Sequence, residues 1–250
     1  RATLMVVGLH VSLYYASWRA ARQALVNCFS PKSEYCAQYG ISIDESEWPC
    51  AHVPRRFICD NGEMIGLKPQ EKVVPFTELS FAPSYRPDYK SFVERRFKIL
   101  NDSLIHQLQG STKGGRVVRG DRDPRKDSKH TLYEVTSMLI DAALEHNRTI
   151  QKSLAFTRPL LIEKSLSPTP LNTWKIYISQ HRHSLSRVAP DEVIARLLPP
   201  EQVSMTRSGI KYKEMFYSCA QIEDESLAAI ARVHGRWKMD ARVDDNTVNH

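Results

Sequence analysis

FICDNGEM, residues 57–64, is the stretch on which the reading of this chain turns. Phe57, Ile58 and Cys59 form a short apolar run of strand character, followed by Asp60 and then Asn61-Gly62. Asn-Gly after a strand ordinarily marks a hairpin turn, because both residues tolerate positive φ at little steric cost. A carboxylate at the tip of a buried strand is also a place where a divalent cation can be held through oxygen ligands. The residues around it must decide between the two.

Upstream, residues 3–15 (TLMVVGLHVSLYY) are apolar and β-branched, which predicts a buried strand. Residues 17–29 predict an amphipathic helix capped by Ser17, with Trp18, Ala21, Leu25 and Phe29 at helical spacing. The polar, Pro-punctuated stretch from Ser30 to Pro54 predicts a loop or insertion. Downstream, VVPFTELSFA (73–82) predicts a further strand, broken or edged by Pro75. The strongest helical signal is 88–108, where Val93, Phe97, Leu100, Leu104 and Leu108 predict a buried stripe and Gly110 the stop.

Residues 110–130 are Gly-rich and of mixed charge, predicting a linker extended over a surface. A helix follows from a Thr131-x-x-Glu134 capping box, and two shorter ones are predicted near 169–178 and 189–198. From residue 199 the pattern becomes short strands with polar turns, predicting a small barrel or sandwich with a helical insert at 224–233. These shifts divide the chain at 1–110, 111–130, 131–198 and 199–250.

The chain has 250 residues, net charge +7 and 42% hydrophobic residues, values of an ordinary soluble protein with room for more than one core. The charge is concentrated. Between Arg86 and His130 twelve Lys and Arg face six acids, so +6 of the +7 lies in that segment, as expected of a phosphate-backbone binder. Five cysteines without a C-x-x-C pair argue against a disulfide framework or structural zinc site. His181-x-His183 with Cys219 lacks the spacing of a metal site and reads as polar surface, and His106 reads as a surface or interface group. No apolar run is long enough to span a bilayer. A chain that begins with Arg1 and ends on RVDDNTVNH reads as an internal piece of a longer protein.

Asp60 and Glu94, one after a strand and one early in an amphipathic helix, could share a divalent cation if that helix packs beside the strand. Taken singly, Asp60 reads as a turn residue and Glu94 as the partner of Lys98 four positions on. Glu94 nevertheless borders the apolar stripe and stands among Lys90, Arg95, Arg96 and Lys98, a mixture suited to holding phosphates beside a metal.

VPRRFICDNGEMIG, then FAPSYRPDYKSFVERRFKILNDSLIHQLQG, resemble the second-Asp and Glu blocks of DDE transposases of the TnsB group, with phage Mu transposase and retroviral integrases as more distant relatives. TLMVVGLHVS with YYASW is similar to the third strand and first helix of that core, and RLLPPEQVSMTRSGIKYKEMFYS to its Mu-type barrel. The resemblance implies a partial α/β RNase H-like core, a helical linker region and a small C-terminal β-barrel.

It further implies a transposase that cleaves transposon 3′ ends and transfers the 3′-OH into target DNA. Asp60 and Glu94 would ligate Mg²⁺ (or Mn²⁺), and the first Asp of the triad would lie outside this chain, leaving the isolated piece inactive. Lys90, Arg95, Arg96, Lys98, Lys113, Arg116, Arg119, Arg207 and Lys211 would contact DNA. Implied partners are transposon-end and target DNA, further copies of the chain on paired ends, an AAA+ ATPase regulator (TnsC-like) and a TnsA-like endonuclease, in the bacterial cytoplasm at the nucleoid. A catalytically inactive DNA-binding or assembly module is the alternative.

Overall fold

The structure, a computed structural model, describes residues 2–13, 15–59, 64–83, 87–113, 122–181 and 185–243, with backbone alone for 87–92 and 221. It is mixed α/β and separates into two compact units, Arg1–Val193 and Ile194–His250.

The first unit departs from expectation at its start. Residues 3–13 form no strand. Their backbone groups are taken up by side chains instead: Val6 N–H donates to Asn147 Oδ1 (2.9 Å), Val6 C=O accepts from Asn147 Nδ2 (3.1 Å) and Trp48 Nε1 (2.8 Å), and Leu9 N–H donates to Asn27 Oδ1 (2.8 Å). A buried segment must satisfy its polar backbone somehow, and side chains serve here where a sheet partner does not. Helix α1 (Trp18–Phe29) forms over the predicted residues with Leu25 and Phe29 buried, but Ser17 makes no side-chain capping hydrogen bond. It passes so close to the opening segment that a Cβ on Gly8 would stand 2.7 Å from Cys28 Cα, which is why position 8 carries no side chain.

The stretch that reads as a loop supplies much of the core. Helix α2 (Lys32–Ala37) lies within it, and Cys36, Tyr39, Trp48 and Cys50 pack with Ile140, Ala143 and Leu144 of a later helix. Apolar residues at irregular spacing carry no helical or strand period, so their burial is hidden behind the polar residues between them. That later helix is α5 (Leu132–Arg148), and its predicted capping box is present: Glu134 N–H donates to Thr131 Oγ1 and Thr131 N–H to the Glu134 carboxylate. The Pro-rich connection after it folds into α6 (Lys152–Thr157) and α7 (Pro159–Glu163), and then come α8 (Pro170–Gln180) and α9 (Pro190–Leu197), where the sequence predicts short helices.

Lys32 is 2% exposed, and its ammonium donates to the carbonyls of Cys28 (3.3 Å), Ser30 and Cys50. Burial pulls its pKa down from 10.5 to about 8, partly offset by the neighbouring Cys28, Cys50 and Cys36. Because the folded value lies below the unfolded one, the unfolded chain holds more protons above about pH 8, and stability rises with pH there. Burial also raises the thiols of Cys28, Cys50 and Cys36, the last to about 11 from 9.0, which opposes the trend from about pH 8 upward and outweighs it above about pH 9. Chemical-denaturation midpoints should therefore stay nearly flat between about pH 8 and 9, where the Lys32 and thiol contributions offset each other, and fall above about pH 9; Lys32→Met, which removes the rising contribution, should make them fall already from about pH 8.

Two short strand pairs complete this unit: β1 (Val53–Pro54) runs antiparallel to β4 (Leu185–Ser186), and β2 (Arg56–Cys59) runs parallel to β3 (Glu78–Phe81). Parallel strands need a crossover, and α3 (Leu67–Val73) supplies it. The strand predicted over 73–82 is thus shortened to 78–81, because Val73 is the fully buried last residue of a helix. Pro75, which cannot donate to a ladder, falls between the two elements.

In the second unit β5 (Glu201–Thr206), β6 (Gly209–Tyr212), β7 (Met215–Tyr217) and β8 (Trp237–Ala241) form an antiparallel sheet in the order β7-β6-β5-β8. The predicted helical insert is present as α10 (Ala220–Asp224) and α11 (Leu227–His234). Met205, Ile222 and Ala231 form the core, with Ile210, Leu227, Trp237 and Met239 around it. The expected β-barrel is not closed: among the described residues β7 and β8 remain separate edges of an open four-stranded sheet. The helical insert covers the apolar face that closure would otherwise bury.

Candidate functional site

The crossover β2–α3–β3 brings the C-terminal ends of two parallel strands side by side. Cys59 pairs with Phe81, and the Cys59 C=O accepts the Ala82 N–H at 2.8 Å. Asp60, next in the sequence, lies outside the described residues, as does the Asn61-Gly62 turn signal. The other predicted acid is placed. Helix α4 (Pro87–Ser103) forms where the sequence predicts a helix but ends at Ser103, before a 3-10 turn over Ile105–Gln107, and not at Gly110; Glu94 stands exposed on it.

The carboxylate of Glu94 makes no hydrogen bond or ion pair with another described residue, so the pairing with Lys98 is not formed. An open carboxylate has the oxygen donors a hard divalent cation takes. Among the described residues no three His, Cys, Asp or Glu side chains cluster as a metal centre; Cys219 is exposed, His181 stacks on Tyr177 at 4.4 Å, and His183 lies outside them.

The apolar stripe predicted over 88–108, which runs past the end of α4, is only half covered. Leu100, Leu104 and Leu108 are partly buried, but Val93 is 58% and Phe97 63% exposed, beside Glu94. Helical spacing shows that an apolar face exists and does not show what covers it. The predicted cations divide similarly. Arg95 and Lys98 are exposed, whereas Arg96 is half-buried and donates to Gln151 Oε1 (3.4 and 3.5 Å), its pKa lowered by burial and by Arg95. Arg96 therefore ties α4 to the segment before α6. Lys90 lies where the backbone alone is described.

The two ends of the basic linker come together; residues 114–121 between them lie outside the described residues. Gly110, at φ +87°, stands so near Ser128 that a Cβ there would meet Ser128 Cα at 2.6 Å, so the segment leaves and returns to one place. Two of its cations are internally paired, Arg125 with Asp123 (2.7 Å) and Arg122 with Asp127. Lys113 is exposed, and Arg116 and Arg119 lie outside the described residues. In the second unit Arg207 sits exposed in the β5–β6 turn, and the Lys211 ammonium lies over the Phe216 ring at 5.8 Å. His106 is on the surface, 3.1 Å from Asp102.

One basic feature is not apparent from the sequence. A groove of about 430 Å³ is lined by Pro54, Arg55, Arg56, Glu78, Tyr177 and Leu185. Successive strand residues normally diverge, but Arg55 lies in the bend between β1 and β2. Both guanidiniums therefore reach Glu78, Arg55 at 3.7 Å and Arg56 at 3.3 Å. On the same β1–β4 ladder, Arg187 Nε donates to His52 Nε2 at 3.2 Å, and burial and the Arg187 charge lower the His52 pKa. The Arg-Arg pair just ahead of FICDNGEM is the signal in the sequence that points to it.

Residues 1–110 match the family profile of the TnsB C-terminal domain. The chain is 28% identical over 220 residues to the transposon Tn7 transposition protein TnsB of Escherichia coli, a match covering 87% of this chain and 31% of that protein. No helix among the described residues is long and apolar enough to cross a membrane.

Proposed function

We propose, for a chain that is TnsB-type in sequence over most of its length, a role as part of a DNA transposase that cleaves transposon 3′ ends and joins the 3′-OH to target DNA. The observation that carries the reading is the relationship to a transposition protein, together with a Glu94 carboxylate that pairs with no other described residue, where the sequence places the last acid of the site. Asp60 and Glu94 would hold Mg²⁺ or Mn²⁺ in an RNase H-like core. When bound, such ions activate the attacking oxygen and stabilise the leaving one.

The chain's own residues then have simpler tasks. Glu94 supplies oxygen ligands from a helix, which fixes them better than a loop would. Arg95 and Lys98, exposed and close to it in the sequence, hold phosphates; Arg96 holds α4 to Gln151. Lys90, Lys113, Arg116, Arg119, Arg207 and Lys211 complete the DNA-facing charge in this reading. Copies of the chain on paired ends, a TnsC-like AAA+ regulator and a TnsA-like endonuclease are the partners it entails.

The reading is tested in the longer protein that contains this chain, given transposon-end duplex and a target plasmid. Strand joining should require Mg²⁺ or Mn²⁺ and stop on chelation, while end binding persists. Joining that continues in EDTA would refute it. End binding without joining under any metal would favour the non-catalytic assembly module.

A further inference from the structure

We infer that the groove at the β1–β4 ladder is a docking site for the phosphodiester backbone of duplex DNA, held by Arg55 and Arg56, with Arg187 farther along the same ladder. The inference rests on the DNA-binding reading above and adds a surface that neither the acid pair nor the 86–130 basic segment includes.

Two guanidiniums converge on the one carboxylate of Glu78, at 3.7 and 3.3 Å, which leaves a net positive charge in the groove. Their side chains are 72% and 66% exposed, so most of their N–H donors face solvent and can turn to an incoming phosphate. Guanidinium forks match phosphate oxygens in geometry as well as charge. Arg187 adds a third exposed cation without a second acid, because its described contact is to His52, whose pKa is lowered and which accepts a hydrogen bond. Tyr177 and Leu185 also line the groove. Glu78 is thus a built-in competitor: it holds both arginines in place when no DNA is bound and is displaced from them when it is.

This competition gives a two-signed test. The wild-type chain, Arg55→Ala/Arg56→Ala, Arg55→Lys/Arg56→Lys and Glu78→Gln are titrated with a random-sequence duplex at salt concentrations between about 50 and 200 mM. The double alanine variant should bind about tenfold more weakly, with a salt slope smaller by about 2, near 1 for each phosphate no longer neutralised. The double lysine variant should keep the slope and lose only part of the affinity, since it retains charge without the fork. Glu78→Gln should bind more tightly than wild type. Thermal melts separate these effects from misfolding, and the lysine variant provides the arm in which charge and fold are both retained. Wild-type affinity and slope in the double alanine variant would overturn the site while leaving the DNA-binding reading intact. A wild-type chain with no salt-dependent duplex binding would overturn both.

Discussion

Glu94→Gln, and separately Asp60→Asn, should each reduce 3′-end cleavage and strand joining by the longer protein about 10³-fold or more, with end binding within a few-fold of wild type. A thousandfold loss corresponds to about 4 kcal/mol of transition-state stabilisation, the scale expected when a metal ligand is removed. Both changes keep size and shape, remove the charge and turn one acceptor oxygen into an NH2 donor, which cannot ligate a cation. Glu94 is exposed and makes no ion pair with another described residue, so its neutral analogue breaks no such pair and should leave the melting temperature unchanged. An unchanged melt with abolished joining identifies a ligand; unchanged joining in Glu94→Gln would remove it from the site. Gel-resolved cleavage and joining products measured beside a filter-binding isotherm separate chemistry from binding.

Trp48→Ala should be the most damaging single change to the fold of the first unit, costing about 3–5 kcal/mol. Trp48 is 1% exposed, at the centre of a cluster with Cys36, Tyr39, Cys50, Ile140, Ala143 and Leu144. Its indole also donates to Val6 C=O, which links the core to the opening segment. Trp48→Phe should cost markedly less, because Asn147 Nδ2 still donates to the same carbonyl and most of the volume is kept. Asn147→Leu tests that link from the other side. It is fully buried, and its removal strands the Val6 N–H, for about 1–3 kcal/mol. At roughly 2–4 °C per kcal/mol for a unit of this size, Trp48→Ala should lower the melting temperature by about 10 °C. Denaturant melts of the three variants, with equal m-values, would check the order.

The capping box at Thr131, the helix carrying Glu94, the strand at Arg56–Cys59 and the helical insert in the C-terminal unit are all legible in the sequence. Each is signalled by residues within one or two turns of each other, where local hydrogen bonding and side-chain period decide the backbone. The opening segment differs because its composition is that of a strand, yet no composition states whether a neighbouring strand will be there to pair. The Ser30–Pro54 stretch differs for the opposite reason: its buried residues lack a period, although Trp48 and Cys50 are among the most buried of the chain. Of the candidate site, the sequence places Glu94 on a helix but does not tell that Arg96 turns away to Gln151 while Arg95 and Lys98 stay in solvent.

The helix carrying Glu94, the capping box of α5 and the location of the basic segment can thus be read from the chain alone, because spacing and charge are properties of neighbouring residues. Three outcomes belong to the folded molecule: Gly110 and Ser128 come together, the C-terminal sheet stays open among the described residues, and Arg55 and Arg56 meet at Glu78 beside Tyr177. They depend on contacts between residues far apart in the chain, whose partners are chosen by packing and by the need to satisfy buried polar groups.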